Sequence, residues 1–304
     1  MKDRNIGFIG LGNLGKNLAN SILLGGYNLF IYDIKKTKAK KLISNGAIWC
    51  DNLNDLANRS TIIINCLPNP KSVSSVIEGS KGLINFINSN HLIIECSTTD
   101  EEEMIRLSKI ITSKGAKYLE APLSGGEHRS VSGNIAVLAA GRRLDFNRAF
   151  PILREIGYEI VYLGKNLGNA STVKVLTNYL ASINLLSIAE VFMISKKYGL
   201  NLKSVYEAIR ISSGNSFVLS TEGKLILSGS MNAQFTMDLI CKDLNLVKKL
   251  QKKFKIPSDL IPLVFSIFLK GKKNLGSRAY STSVVKLLEK KCKTFLRSSN
   301  FPKN

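Results

Sequence analysis

Histidine is nearly missing from this chain of 304 residues, which holds only His91 and His128. A histidine-rich metal centre is thereby all but excluded. The five cysteines, Cys50, Cys66, Cys96, Cys241 and Cys292, are odd in number and never spaced C-x-x-C. That argues against a disulfide framework and against a zinc site, so no metal is expected. Reduced thiols in a cytosolic compartment suit the pattern. No uninterrupted apolar run approaches the ~18–20 residues of a membrane span. The most apolar helical stretch, Val173 to Ile194, is broken by Lys174, Asn178, Asn184 and Glu190. No apolar signal segment precedes the first strand-like run, so a cytoplasmic chain without a membrane partner is expected. Acids are scarce as well: 22 Asp and Glu stand against 43 Lys and Arg, for a net charge of +21. From Lys242 onward, sixteen basic residues face only Asp243, Asp259 and Glu289. A basic stripe is one footprint of a nucleic-acid partner. Here the lysines alternate with apolar residues at helical spacing, the pattern of solvated helix faces. A nucleic-acid partner is therefore not expected, and a basic, non-catalytic binding module is the alternative reading.

What is present is ample apolar material, 44% of the chain, and a length that suits two domains. The first half alternates strand-like and helical runs. Ile6 to Gly10, Asn28 to Asp33, Thr61 to Cys66, Leu92 to Cys96, Lys117 to Glu120, Ile135 to Ala139 and Gly157 to Leu163 read as strands. Asn13 to Leu24, a lysine-rich stretch to about Ser44, and Asp100 to Lys114 read as helices between them. Such alternation predicts an α/β fold with a doubly wound, mostly parallel Rossmann-type sheet. Past Gly164 to Gly168 the strand signals vanish. Ala170 to Tyr198, Leu202 to Ile211, Asp238 to Phe254, Asp259 to Lys270 and Ser281 to Phe295 carry helical periodicity. The expected organisation is a dinucleotide-binding domain at 1–164, an all-α domain at 165–297 that serves substrate binding and oligomerisation, and a frayed tail at 298–304.

Gly10-Leu11-Gly12-Asn13-Leu14-Gly15 lies between the first strand and the first helix. A lone G-x-G-x-x-G is a weak signal, but this context is the one the chemistry needs. Gly10 permits the tight turn, Gly12 lets backbone approach a pyrophosphate, and Gly15 lets the helix pack closely. The helix N-terminus then offers N–H groups and a positive dipole to the anion. Asp33 ends the second strand 18 residues after Gly15, close to the carboxylate spacing expected for ribose hydroxyls. A carboxylate repels a 2′-phosphate, which argues for NAD. Lys35, Lys36 and Lys38 follow at once and leave NADP open.

Further along stand Cys66-Leu67-Pro68-Asn69-Pro70, Ser97-Thr98-Thr99, Glu120-Ala-Pro-Leu-Ser124-Gly125-Gly126, Gly168-x5-Lys174-x3-Asn178 and Lys242-Asp243-Leu244. With the glycine turn, these six ordered segments make the chain resemble the β-hydroxyacid dehydrogenase family from about Asn5 to Leu288. The resemblance implies hydride transfer between a nicotinamide cofactor and a small 3-hydroxy acid or its semialdehyde. It implies that Leu67, Pro68, Thr98 and Lys242 lie at the cofactor. Ser124, Gly125, Gly126 and Lys242 would then bind substrate, and Lys174 would be the general acid/base with Asn178 beside it. The residues are suited to those roles: consecutive glycines expose backbone N–H groups for a carboxylate, and Ser124 adds a hydroxyl. Lys174 and Asn178, four apart, share a helix face. Spacing alone would leave Lys174 a snorkelling lysine; the resemblance is what makes it catalytic. It also implies a homodimer or homotetramer. Two places depart from the family pattern and touch substrate choice: Glu127-His128-Arg129-Ser130 replaces small residues, and Tyr280 stands where an Asp is common.

Overall fold

The computed structural model describes residues 4–131 and 133–301, without the side chains of Glu127, His128 and Arg129. The selector role expected of His128 and Arg129 lies outside the described residues. The chain divides into two compact units, Met1–Lys174 and Val175–Asn304.

Six parallel strands build the first unit: β1 (Asn5–Ile9), β2 (Asn28–Tyr32), β3 (Ile48–Trp49), β4 (Ile62–Asn65), β5 (Leu92–Glu95) and β6 (Lys117–Glu120), in the order β3-β2-β1-β4-β5-β6. The two-residue β3 escapes a reading by periodicity because it is too short to show one. Alternate strand residues point to opposite faces. Ile62 and Ile64 pack with the helices Gly15–Leu24 and Arg143–Ile156, whereas Ile63 packs with Leu53–Arg59, Pro70–Glu78 and Glu101–Ser113. Coverage on both faces is why β4 and β5 are wholly buried and read as unbroken apolar runs. The strand order reverses between β1 and β4, so the ligand crevice of such a sheet opens at their carboxyl ends.

The strands after Glu120 were expected to continue this sheet, and they do not. Pro122, which has no N–H to extend a ladder, turns the chain into a second sheet. That sheet holds β7 (Leu123–Ser124), β8 (Ala136–Ala139) and β9 (Ile160–Tyr162), with β7 antiparallel and β9 parallel to β8. Reciprocal 3.0 Å backbone bonds between Glu120 and Ala140 stitch the two sheets together.

The helix Asn169–Tyr198 is long and apolar enough to cross a membrane by length and composition alone, a test that core helices of soluble proteins also pass. Its first turn belongs to the first unit: Ala170 packs with Leu138 and Ala140. In the second unit, Leu202–Arg210, Lys224–Ser228, Met237–Lys253, Leu260–Leu275 and Val285–Cys292 surround a core that includes Phe192, Leu219, Met237 and Phe268. The last helix stops short of the expected Phe295 because Lys293 takes a left-handed conformation, φ 49°. The start of the tail is not frayed. Ser298 donates its N–H to the Leu227 carbonyl at 2.9 Å, and the Phe301 ring meets Tyr206 edge-on at 5.2 Å.

Candidate active site

The glycine turn has the stereochemistry its spacing predicts. Gly10 sits at φ +97°, and a Cβ there would lie 2.3 Å from the Cys66 carbonyl oxygen. A Cβ on Gly15 would lie 2.0 Å from the Gly10 carbonyl oxygen. At Gly12 it would meet nothing within 4 Å, so the turn is open on that side. The helix behind it has Leu14 at its N-cap and no side-chain cap, which leaves that end to an anionic ligand. Asp33 is buried beside the turn. Its Oδ2 accepts the Leu11 N–H at 2.8 Å and its Oδ1 accepts the Lys35 N–H at 2.9 Å. Lys38 Nζ is ion-paired to Oδ2 at 3.2 Å. Asp33 therefore braces the turn. Lys36 lies over Trp49, 5.5 Å from the ring centroid, and Tyr32 stacks on the same ring.

Across the crevice, Leu67 donates its N–H to the Ser97 hydroxyl at 2.8 Å. Ser97 in turn gives its N–H to Glu95 Oε1 at 2.9 Å, and Asn65 Nδ2 donates to Glu95 Oε2 at 3.0 Å. One buried carboxyl at the end of β5 thus ties the Leu67-Pro68 segment to the Ser97-Thr98 segment. Burial pushes the Glu95 carboxyl up to about 7, against the hydrogen bonds from Ser97 and Asn65. Asn65 Oδ1 is buried without a hydrogen-bond partner. Sequence reading missed Glu95 and Asn65, whose only signal was their place at strand ends beside the two loops, and gave Ser97 no role of its own within Ser97-Thr98-Thr99.

In the same unit Lys174 Nζ stands 3.4 Å from Ser124 Oγ. Gly125 and Gly126 follow at φ +125° and +72°, conformations that two glycines adopt without strain. Lys174 is 7% exposed, and among the described residues no other Lys or Arg is buried. In the helical unit, Asn178 Nδ2 donates to Asp243 Oδ2 at 2.6 Å. Lys242 Nζ lies 3.3 Å from Asp243 Oδ1. Asp243 is the residue that sequence reading passed over in Lys242-Asp243-Leu244: it joins Asn178 to Lys242, and nothing in a lysine-rich helix marks one Asp as buried.

Two family models cover the chain. The NAD-binding domain of 6-phosphogluconate dehydrogenase matches residues 5–164, and the NAD-binding domain of NADP-dependent 3-hydroxyisobutyrate dehydrogenase matches 168–288. The 2-(hydroxymethyl)glutarate dehydrogenase of Eubacterium barkeri is 30% identical over 289 residues, 95% of this chain and 96% of that protein. The chain belongs to the β-hydroxyacid dehydrogenase family. A second β-hydroxyacid dehydrogenase, the mitochondrial 3-hydroxyisobutyrate dehydrogenase of Mus musculus, is 29% identical, covering 91% of this chain and 83% of its own. A solved 3-hydroxyisobutyrate dehydrogenase from Salmonella typhimurium shares the fold, with a TM-score of 0.84 at 23% identity over 94% of this chain and 100% of that one. As a β-hydroxyacid dehydrogenase the chain is an oxidoreductase that uses NAD or NADP and acts on the hydroxyl group of a hydroxy acid. The glycine turn, the uncapped helix end and the Asp33 carboxylate fit such a cofactor.

Proposed function

We propose that the chain interconverts a small 3-hydroxy acid and its semialdehyde, with Lys174 Nζ as general acid/base. The observation that carries this is the burial of Lys174, alone among the described basic residues of a chain with 43. Burying an ammonium costs free energy that a surface lysine avoids, so its retention beside Ser124 has a chemical reason. In oxidation, neutral Nζ takes the hydroxyl proton; in reduction, the ammonium polarises the carbonyl and returns a proton to its oxygen. When bound, the nicotinamide accepts or supplies the hydride. Ser124 donates its hydroxyl, and Gly125 and Gly126 their N–H groups, to the substrate carboxylate. Asn178 and Lys242, both tied to Asp243, orient the bound molecules.

The cofactor is held by Gly10 through Gly15, Asp33, Leu67, Pro68, Thr98 and Lys242. The buried Asp33 carboxylate favours NAD, and its pairing with Lys38 keeps NADP within reach. The domain roles follow, with dinucleotide binding at 1–164 and substrate binding and oligomerisation at 165–297. Leu180 and Ile194, 58% and 70% exposed on the helix Asn169–Tyr198, support a homodimer or homotetramer. A cytoplasmic enzyme without membrane or nucleic-acid partners completes the reading.

The test is turnover of 3-hydroxyisobutyrate and 2-(hydroxymethyl)glutarate with NAD and NADP, followed by absorbance of the reduced cofactor. Lys174→Ala should lower kcat by about 10²–10⁴-fold while NADH still binds. Unchanged turnover in the variant would refute the assignment.

A further inference from the structure

The helix Asn169–Tyr198 follows Gly168, which has no side chain to cap it, so its first N–H groups need a partner from elsewhere. That partner is Glu120, at the end of β6 and 0% exposed. Its Oε1 accepts the Ala170 N–H at 3.0 Å. Its Oε2 accepts the Ser171 N–H at 3.1 Å and the Ser171 hydroxyl at 2.7 Å. The cap is long-range, about fifty residues away along the chain, and it joins a helix to a sheet, which no local cap can do. Glu120 is itself fixed on both sides, paired with Glu95 in the β5–β6 ladder and with Ala140 across the sheets.

We propose that Glu120 is the positioning residue for the proton-transferring lysine: its carboxylate pins the first turn of the helix to the end of β6 and so sets Lys174 against Ser124. This rests on the reading of Lys174 given above. The helix geometry supports it. Ala170 and Ser171 precede Lys174 by four and three residues, so the pinned groups lie one turn below Lys174 on the same face. The chain from Glu120 to Ser124 therefore holds this face at two levels, through the carboxylate at the first turn and through Ser124 Oγ at 3.4 Å from Nζ. Its contacts are to the helix end rather than to Lys174, so Glu120 acts through the helix. Burial raises the Glu120 carboxyl above the ordinary carboxylate range although the hydrogen bonds from Ala170 and Ser171 oppose the rise. A buried acid is a costly cap. A serine hydroxyl would satisfy one of these N–H groups at lower cost, but it could not hold Ala170 and Ser171 together.

Glu120→Gln keeps the shape and turns an NH₂ toward N–H donors, which loosens the turn. In the full-length enzyme, with NADH and whichever of the two hydroxy acids the wild type turns over, kcat should fall about a hundredfold, the scale of a misplacement of about 1 Å. NADH affinity should stay within about twofold, since Glu120 lies outside the glycine turn. The limb of the kcat–pH profile set by Lys174 should move. Glu120→Asp, which keeps the charge, should recover about tenfold of the loss and move that limb back. A lower melting temperature with unchanged kcat and pH profile would reduce Glu120 to a structural cap and overturn the proposal. If Glu120→Gln does not fold, Ser171→Ala decides, because it removes only the hydroxyl contact. It should cost about fivefold in kcat, near 1 kcal/mol, the worth of one hydrogen bond, and no change would overturn the proposal. Lys174→Ala separates the two levels. If that variant is active, the acid/base reading itself fails. If it is inactive while the Glu120 variants behave as wild type, only the positioning role fails.

Discussion

Glu95→Gln should make the enzyme more stable at pH 8 and leave its stability unchanged near pH 4.5. Glu95 is 0% exposed, and its two hydrogen bonds come from neutral donors, Ser97 N–H and Asn65 Nδ2. No basic group is among the influences on its ionisation, so burial lifts the carboxyl from 4.5 to about 7. At about 1.4 kcal/mol for each tenfold change in proton affinity, that rise is worth about 3 kcal/mol. The sign follows from proton linkage. The folded state holds this proton more tightly than the unfolded state, so the stabilisation is complete below pH 4.5, declines as pH rises, and is lost by about pH 7. Gln matches the protonated acid in shape and never ionises. Its oxygen keeps the Ser97 N–H. A turned Asn65 amide would offer the Gln NH₂ its Oδ1, which now lacks a partner. The variant should therefore be about 3 kcal/mol more stable than wild type at pH 8 and nearly equal to it at pH 4.5. Urea unfolding without cofactor, at pH 4.5, 6, 7 and 8, measures this. The only tryptophan, Trp49, lies on β3 of the same sheet and reports the first unit. A difference that does not change with pH, or a variant less stable at pH 8, would refute the reasoning.

The glycine turn separates folding from binding. Gly15→Ala places a Cβ against the Gly10 carbonyl and should cost about 2–3 kcal/mol of stability, read from the melting temperature. Gly12→Ala meets no protein atom, so it should melt like wild type while NADH binding, followed by fluorescence titration, weakens about tenfold. A Gly12 variant that binds normally would remove the pyrophosphate from this turn. Asp33→Asn keeps an acceptor for the Leu11 N–H but releases Lys38, and the ratio of NADP to NAD efficiency should rise about tenfold. An unchanged ratio would leave Asp33 only its bracing role.

The sequence makes some of this legible and hides the rest for physical reasons. The glycine turn is readable because its glycines answer separate steric demands, and the structure shows two of them, at Gly10 and Gly15. Strands β4 and β5 are readable because burial on both faces forces unbroken apolar runs. The two-residue strands β3 and β7 are too short to show a period, and the break into a second sheet turns on one proline. Lys174 could be singled out only by resemblance, because burial depends on what packs around a residue and leaves no mark on the residue itself.

Apart from Asp33, the acids were the larger omission, and they follow a rule. Among the described residues of a chain with net charge +21, buried Asp33, Glu95, Glu120, Asp145, Asp243 and Glu289 face a single buried Lys or Arg, Lys174. Lysine and arginine can only donate hydrogen bonds, whereas loops leaving strands and helices leaving loops present N–H groups that need acceptors. Asp33 follows β2, and Glu95 and Glu120 end β5 and β6. Each accepts backbone N–H groups from a segment of the candidate site: Leu11, Ser97, and Ala170 with Ser171. In a lysine-rich sequence the excess charge therefore says little about the site. An acid at the carboxyl end of a parallel strand is the rarer signal, and in this fold it marks where a functional loop is tied down.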